Sequence, residues 1–326
     1  MTGPTVLVTS RSFSSGGLDF RGTLEAAGAS VVAGPASHDL ETLRPLLAGT
    51  VAWIAGTGPI SAAHLDAAPQ LRVVARYGVG VESVDVAAAA DRGILVTNTP
   101  GANSDAVADH AMALMLAALR HVVTGDRKVR AGDWQVERTR ELASLTVGIV
   151  GVGRIGRGVA RRLAGFGSAV LGFDPWVSDA DLKAIGIEPV QMDVIADRSD
   201  IVSLHAPGER TLIDAAWLGR ARRGVILVNT ARASLVDEAA LADALVDGTV
   251  LVYASDVLSG EAGRAPSPLL SADLADRTVF TPHAAAQTVE AVDRMGLGAV
   301  TSVLAVLRGQ VPANVVNPPS RNGTSS

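Results

Sequence analysis

The sequence contains no cysteine, which excludes disulfides, thiolate catalysis and thiolate metal sites and makes a reducing, cytoplasmic setting the simplest home. Aromatic residues make up only 3%, so the interior must be built from Ala, Val and Leu. An excess of either charge is also lacking. Against 33 acidic residues stand 28 basic ones, a formal balance of −5 with no basic block. Neither nucleic acid nor an anionic membrane surface is therefore an expected partner. No run of about 18 apolar residues occurs, so no membrane span is expected. Thr5-Val6-Leu7-Val8 comes without the basic segment and long apolar segment of a secretory signal. No fixed-period repeat is found, and the sequon Asn322-Gly323-Thr324 reads as a chance match.

What the sequence does have is length and alternation. A chain of 326 residues, 48% of them apolar, is long for one core and natural for two. Short β-branched runs at 6–8, 31–32, 51–54, 73–74 and 94–96 read as buried strands, with helices expected at 18–27, 40–48 and 84–91. Asn98-Thr99-Pro100-Gly101 breaks this series. Ser104 is placed to cap a helix running to about residue 120, with Asp105 in its first turn. That helix is apolar nearly all round and should be buried between layers. A second series has strands at 147–150, 169–173, 201–205, 225–229, 250–255 and 279–281. Its helices are expected at 154–165, 213–221 and 237–247, and a final helix at 289–307. Strand–helix alternation of this kind argues for parallel sheets covered on both faces. The expected fold class is α/β, with two doubly wound parallel-sheet domains: 1–103 with 289–317, and 104–288 inserted between them. Residues 318–326, polar and rich in Pro and Ser, are expected to be a disordered tail.

Gly151-Val152-Gly153-Arg154-Ile155-Gly156 follows one strand-like run and opens a helix-like one. In that context the first glycine permits a tight turn and the second lets a pyrophosphate approach the backbone. The third lets the helix pack closely, with its N-terminal N–H groups aimed at the phosphates. Such turns also occur as mere tight connections. Asp174, at the end of the next strand, argues for the dinucleotide, because an acid there binds the adenosine ribose hydroxyls. It also repels a 2′-phosphate, and no Arg or Lys follows in Pro175-Trp176-Val177-Ser178, so NAD is expected over NADP.

Arg232, Asp256, Glu261 and His283 stand at or after strand ends late in the second series, where α/β sites form. Reduction of a 2-keto acid requires a planar double donor for the carboxylate, which arginine supplies. It also requires a proton for the developing alkoxide, which histidine supplies near neutral pH, helped by a carboxylate that orients the ring. Arg232, His283 and Glu261 can fill these roles. Taken singly, each has a plainer reading, as a surface contact, a satisfied loop histidine and a solvated loop acid.

Taken together these residues resemble the D-2-hydroxyacid dehydrogenase family over most of the chain from about residue 71 to 316. The resemblance is carried by Arg76-Tyr77-Gly78-Val79-Gly80-Val81-Glu82-Ser83-Val84-Asp85, by Asn98-Thr99-Pro100-Gly101, by 147–156, by Gly165-Phe166-Gly167 and by Phe173-Asp174-Pro175. It continues through Val228-Asn229-Thr230-Ala231-Arg232, Leu235-Val236-Asp237-Glu238, Asp256-Val257 and Thr281-Pro282-His283, in order. The resemblance implies a Rossmann NAD-binding domain inserted into a flavodoxin-like substrate domain. It implies that Arg232 binds the substrate carboxylate, that His283 is the general acid/base and that Glu261 is its partner. It places Thr230 at the cofactor, Asp256 near the nicotinamide, and the N–H groups around Val79 and Gly80 on the substrate carboxylate. It further implies a homodimer built through 122–136.

Departures are Ala233-Ser234 in place of a common glycine pair, Ala262 in place of a usual proline, Glu82 for a frequent aspartate, and a short segment after His205-Ala206-Pro207. His205 is given no chemical role. Arg76 could meet a substrate phosphate, which would suit 3-phosphoglycerate, or pair structurally with Asp85 or Glu82. The region looks like the phosphoglycerate dehydrogenase branch, and the phosphorylated acid is favoured narrowly over glyoxylate or hydroxypyruvate. No C-terminal regulatory domain is expected. Two other classes compete: an NAD-sensing corepressor-like protein, and a dehydrogenase of phosphite or formate. Glu261 speaks against formate, whose enzymes usually present glutamine beside the histidine. Arg76 stands where phosphite enzymes usually offer lysine.

Overall fold

The computed structural model describes residues 3–208, 210–260 and 266–318. They fall into two compact units, Met1–Asn103 with Gln287–Ser326, and Ser104–Ala286. In the first unit, β1 (Thr5–Val8), α1 (Phe20–Ala26), β2 (Ser30–Ala33), α2 (Leu40–Leu47), β3 (Thr50–Ala55), α3 (Ala62–Asp66), β4 (Val73–Arg76), α4 (Val86–Asp91) and β5 (Leu95–Thr97) alternate. All pairings are parallel and the strand order is β2-β1-β3-β4-β5, the flavodoxin-like order. Leu7, Trp53, Val74 and Val96 from the strands meet Leu43, Leu47 and Leu65 from the helices in one core. Helix α1 begins two residues later than periodicity alone suggests because Asp19 caps it, accepting the Gly22 N–H at 2.8 Å. Helix α3 escapes sequence reading because five residues carry too little period. A Ser61–His64 capping box holds its start.

The second unit begins with α5 (Ser104–Leu119) and α6 (Val122–Arg130) and continues through β6 (Thr146–Val150), α7 (Arg154–Phe166), β7 (Ala169–Phe173), α8 (Asp179–Ala184), β8 (Glu188–Pro189) and α9 (Met192–Arg198). After these come β9 (Ile201–Leu204), α10 (Ala215–Arg220), β10 (Val225–Asn229), α11 (Glu238–Asp247), β11 (Val250–Ser255) and β12 (Thr278–Phe280). The sheet is again wholly parallel, in the order β12-β11-β10-β9-β6-β7-β8. Its first strand lies inside the sheet and the order reverses between β6 and β9, as in a Rossmann domain. Helix α5 buries residues on several faces, among them Val107, Ala111, Met112, Leu114 and Met115. It packs so closely on α7 that a Cβ at Gly158 would sit 3.0 Å from that of Ala108. Ser104 is the first helical residue rather than the cap expected of it, so the helix starts at that residue, not after it.

The chain then returns to the first unit as α12 (Val289–Leu307), with the bounds expected from its apolar period. Thr288 caps it, accepting the Ala291 N–H at 3.2 Å, and Tyr77 Oη donates to the Val292 carbonyl at 2.6 Å. Gly296 is needed where α12 crosses α1, because a Cβ there would overlap the Phe20 ring. Among the described residues no single helix is long and apolar enough to cross a membrane. The expected tail lies outside the described residues from residue 319 onward.

Candidate active site

The glycine loop sits where β6 meets α7, at the strand-order reversal. Gly151 has φ +89°, a left-handed conformation that favours glycine, and a Cβ there would lie 2.6 Å from the Ala206 nitrogen. Its N–H donates to the Phe173 carbonyl at 2.8 Å. A Cβ on Gly156 would fall on the Gly151 carbonyl oxygen, so α7 can press against the turn only with glycine there. Around Gly153 there is open space instead. Gly153 and Arg154 are exposed and Ile155 is half-buried. The half-buried Asp174 bridges two turns: Oδ2 accepts the Val152 N–H at 2.7 Å and Oδ1 accepts the Trp176 N–H at 2.9 Å. A cradle open over Gly153, the N-terminus of a 13-residue helix and a carboxylate beyond the next strand make a donor and acceptor set that fits a dinucleotide. Thr230 adds a buried Oγ1 with no hydrogen-bond partner among the described residues.

His205 lies beside this loop. Its N–H donates to the Val150 carbonyl at 2.7 Å, and its Nε2 shares a hydrogen bond with Ser203 Oγ at 2.9 Å. The residue as a whole is half-buried, but its Nδ1 is shut away from solvent without a partner among the described residues. Desolvation lowers its pKa to about 4, so the ring is neutral and unsuited to donate a proton near neutrality.

Arg232 follows β10 on a turn organised by Asn229, a wholly buried polar side chain at the end of an otherwise apolar strand. Asn229 Oδ1 accepts the Ala231 N–H at 3.0 Å and Nδ2 donates to the Arg232 carbonyl at 2.9 Å, so one side chain spans both sides of the turn. Arg232 itself is half-buried, with Nη1 donating to the Ala231 carbonyl at 2.8 Å. The Ala233-Ser234 departure is accommodated by a bond from Ser234 Oγ to the Gly208 carbonyl at 3.0 Å. It ties this turn to the short segment after Pro207, where a Cβ on Gly208 would lie 2.7 Å from Arg232 Cγ.

His283 follows β12 and is exposed, in a left-handed backbone conformation with φ +53°. For a residue with a Cβ this costs of order 1 kcal/mol and persists only where surroundings fix it. Asp256, at the end of β11 and only 2% exposed, does so. Its carbonyl accepts the His283 N–H at 3.0 Å, Oδ1 accepts the Ala284 N–H at 2.8 Å, and Oδ2 accepts the Ala285 N–H at 2.8 Å. Thr281 Oγ1 also donates to Oδ1, at 2.5 Å. Glu261, expected to partner His283, and the Ala262 departure lie outside the described residues.

In the first unit Arg76 is 5% exposed. Nε donates to the Gly80 carbonyl at 3.0 Å, and Nη1 donates to Ala55 at 2.7 Å and to Gly56. The guanidinium thus braces the Val79–Gly80 segment. The Val79 carbonyl also accepts from Asn98 Nδ2, at 2.7 Å.

Two residues of this unit were not visible from sequence: His110 on α5, whose Nε2 lies 2.8 Å from Thr281 Oγ1, and Asn229 as the organiser of the arginine turn. For Asn229 the available signal was a polar residue closing an apolar strand, and for His110 a titratable ring beside the apolar stretch 111–119. Among the described residues no cluster of His, Asp or Glu suited to a metal is present.

Residues 112–285 match the family model of the D-isomer specific 2-hydroxyacid dehydrogenase NAD binding domain. The chain is 44% identical over 263 residues to a D-3-phosphoglycerate dehydrogenase of Mycobacterium tuberculosis, a match covering 79% of this chain and 49% of that protein. It therefore spans about half the length of the curated phosphoglycerate dehydrogenases it matches. It is 42% identical over 270 residues to a glyoxylate reductase of Korarchaeum cryptofilum, 80% of each chain being covered. The structure of a D-lactate dehydrogenase from Aquifex aeolicus, complexed with NAD and lactic acid, superposes with a TM-score of 0.85 at 26% identity, covering 97% of this chain and 100% of that one. With its two parallel sheets, its glycine loop and these matches, the chain belongs to the D-isomer specific 2-hydroxyacid dehydrogenase family, whose NAD-binding domain it carries.

Proposed function

We propose that the chain is an NAD-dependent dehydrogenase acting on a small 2-hydroxy or 2-keto acid. One observation carries this reading: the glycine loop, the Arg232 turn and the clamped His283 turn all stand at the carboxyl ends of strands of one parallel sheet. A nucleotide site, a carboxylate-binding cation and a proton-transfer group are thereby set along one edge. Gly151, Gly153, Arg154, Ile155, Gly156, Asp174 and Thr230 would hold NAD, which supplies or accepts the hydride at C2. Arg232 holds the substrate carboxylate in a two-pronged grip. His283 gives its proton to the oxygen on C2 as reduction proceeds, or takes it in oxidation, and Glu261 keeps the ring oriented. Asp256 is buried near the nicotinamide end. Val79 and Gly80 offer N–H groups to the carboxylate, and Arg76 shapes that segment through Gly80. Residues 1–103 with 289–317 form the substrate domain, and 104–288 the NAD domain.

Arg232→Ala should lose substrate affinity and turnover together, while NADH affinity stays within about twofold, because a carboxylate grip serves both the bound and the reacting acid. Unchanged KM for every acid accepted would remove Arg232 from the site. A phosphorylated substrate is the second reading, favoured by the D-3-phosphoglycerate dehydrogenase relatives. The buried, braced Arg76 favours the unphosphorylated acid. We also infer a cytoplasmic homodimer, binding neither nucleic acid nor membrane, built through 122–136. Val122, Trp134 and Val136, exposed by 57%, 76% and 91%, support it, since apolar side chains so grouped mark contact surfaces.

A further inference from the structure

We propose that His110, Thr281 and Asp256 form a positioning cluster that fixes the backbone of His283, and that His110 is its outer member. The inference rests on the reading of His283 as the acid/base group and adds how that group is held.

Asp256 Oδ1 accepts from Thr281 Oγ1 at 2.5 Å. A threonine hydroxyl carries a single hydrogen, and a carboxylate can only accept, so that hydrogen points at Asp256. Thr281 Oγ1 is therefore an acceptor toward His110 Nε2, 2.8 Å away, and His110 carries its hydrogen on Nε2. The same nitrogen stands 3.5 Å from Asp256 Oδ1. The order is fixed: His110 donates to Thr281, and Thr281 donates to Asp256. Asp256 in turn receives three consecutive backbone N–H groups, from His283 on its carbonyl and from Ala284 and Ala285 on its carboxylate.

That consecutive set is what a left-handed residue requires. A backbone at φ +53° turns the following N–H groups in a direction that strand or helix pairing does not serve, and here one side chain takes both. The carboxylate is 1% exposed, so solvent cannot replace a lost partner. If the carboxylate swings, the turn beyond His283 loses both of its anchors. Thr281 limits that swing from one side, and His110, anchored on α5, limits Thr281. The Asp256 side chain thus acts on the reaction through the histidine's placement, whatever else it touches when cofactor is bound.

The test compares four variants of the full chain, Thr281→Val, Thr281→Ser, His110→Gln and His283→Gln, each checked by circular dichroism and melting. Readouts are kcat, KM, the pH profile of kcat/KM and the NADH dissociation constant. Thr281→Val keeps shape and removes the hydroxyl. The expected result is a fall in kcat of tenfold to about a hundredfold, with KM and NADH affinity nearly unchanged, because a small misplacement of a reacting group costs on that order. His110→Gln should show a smaller loss of the same kind, in kcat rather than KM. Thr281→Ser should restore most of the rate. Full kcat in both Thr281→Val and His110→Gln, with His283→Gln inactive, would overturn the cluster and leave the acid/base reading standing. Turnover retained in His283→Gln would overturn that reading itself. A loss of NADH affinity in Thr281→Val equal to its loss of rate would make the cluster part of the cofactor site and overturn the positioning role.

Discussion

Histidine serves this chain in several ways, and its surroundings decide which. His38 is 2% exposed, with Nε2 2.6 Å from Thr9 Oγ1 and Nδ1 3.2 Å from the Pro59 carbonyl. Burial is the main cause that lowers its pKa to about 4, and the nearby His64 and Arg76 add to it. Because this folded value lies below the ordinary 6.5, the unfolded chain binds more protons between the two. The stabilisation is complete above pH 6.5 and is lost as pH falls toward about 4. His205 works in the same direction over the same window. The urea midpoint should therefore drop between pH 7 and pH 5, and His38→Asn should flatten part of that drop while tolerating the left-handed backbone at that position, φ +57°. An unchanged slope in the variant would contradict the neutral, buried state assigned to His38. His283 is the opposite case, exposed on a held turn. His283→Gln should reduce kcat by about a thousandfold and leave NADH titration nearly unaffected, within the span that general acid–base groups contribute. Arg232, Asp256 and His283 stand out in the sequence because they follow apolar strands. His110 does not, because one polar ring on an apolar helix reads as a tolerated exception until its partners are known.

At the scale of elements, the sequence announced those whose apolar period was long enough to survive local noise. The bounds of α12, and of strands such as β7 and β10, come through almost unaltered. Helices α3, α6, α8 and α9 and the two-residue β8 did not come through, α6 because its nine residues are largely polar. The others have seven residues or fewer, and they take their stability from packing and caps rather than period. Asp19 shows the same limit at α1, because a cap moved the boundary that periodicity set. The glycine loop was legible because its spacing carries mechanics, and two of its glycines make separable predictions. Gly156→Ala must push α7 away from the Gly151 carbonyl, so it should lower both the melting temperature and NADH affinity, the latter by more than about tenfold. Gly153→Ala enters open space, so it should leave melting unchanged and weaken NADH alone. Equal loss of stability in both variants would contradict the distinction between a packing glycine and a phosphate-facing one.

At the scale of the whole chain, the two sheets belong to one family of dehydrogenases, whereas the assembly and the acid are carried by fewer residues. Charge placed on the exposed apolar segment, as in Trp134→Glu with Val136→Glu, should convert the proposed dimer to monomer in sedimentation velocity without unfolding it. A double variant that sediments like the parent would remove this segment from the interface. The identity of the acid was poorly legible because the side chains that distinguish small anions number only a few, and one candidate, Arg76, donates to the Gly80 and Ala55 carbonyls. The measurement that bears most directly on the whole account is steady-state oxidation of NADH by the purified chain against glyoxylate, hydroxypyruvate, pyruvate and 3-phosphohydroxypyruvate. Turnover is expected with at least one of these 2-keto acids, and much weaker activity with NADPH because of Asp174. Tight binding of NADH with no turnover of any acid would contradict this expectation and point to a cofactor-sensing protein built on the same two sheets.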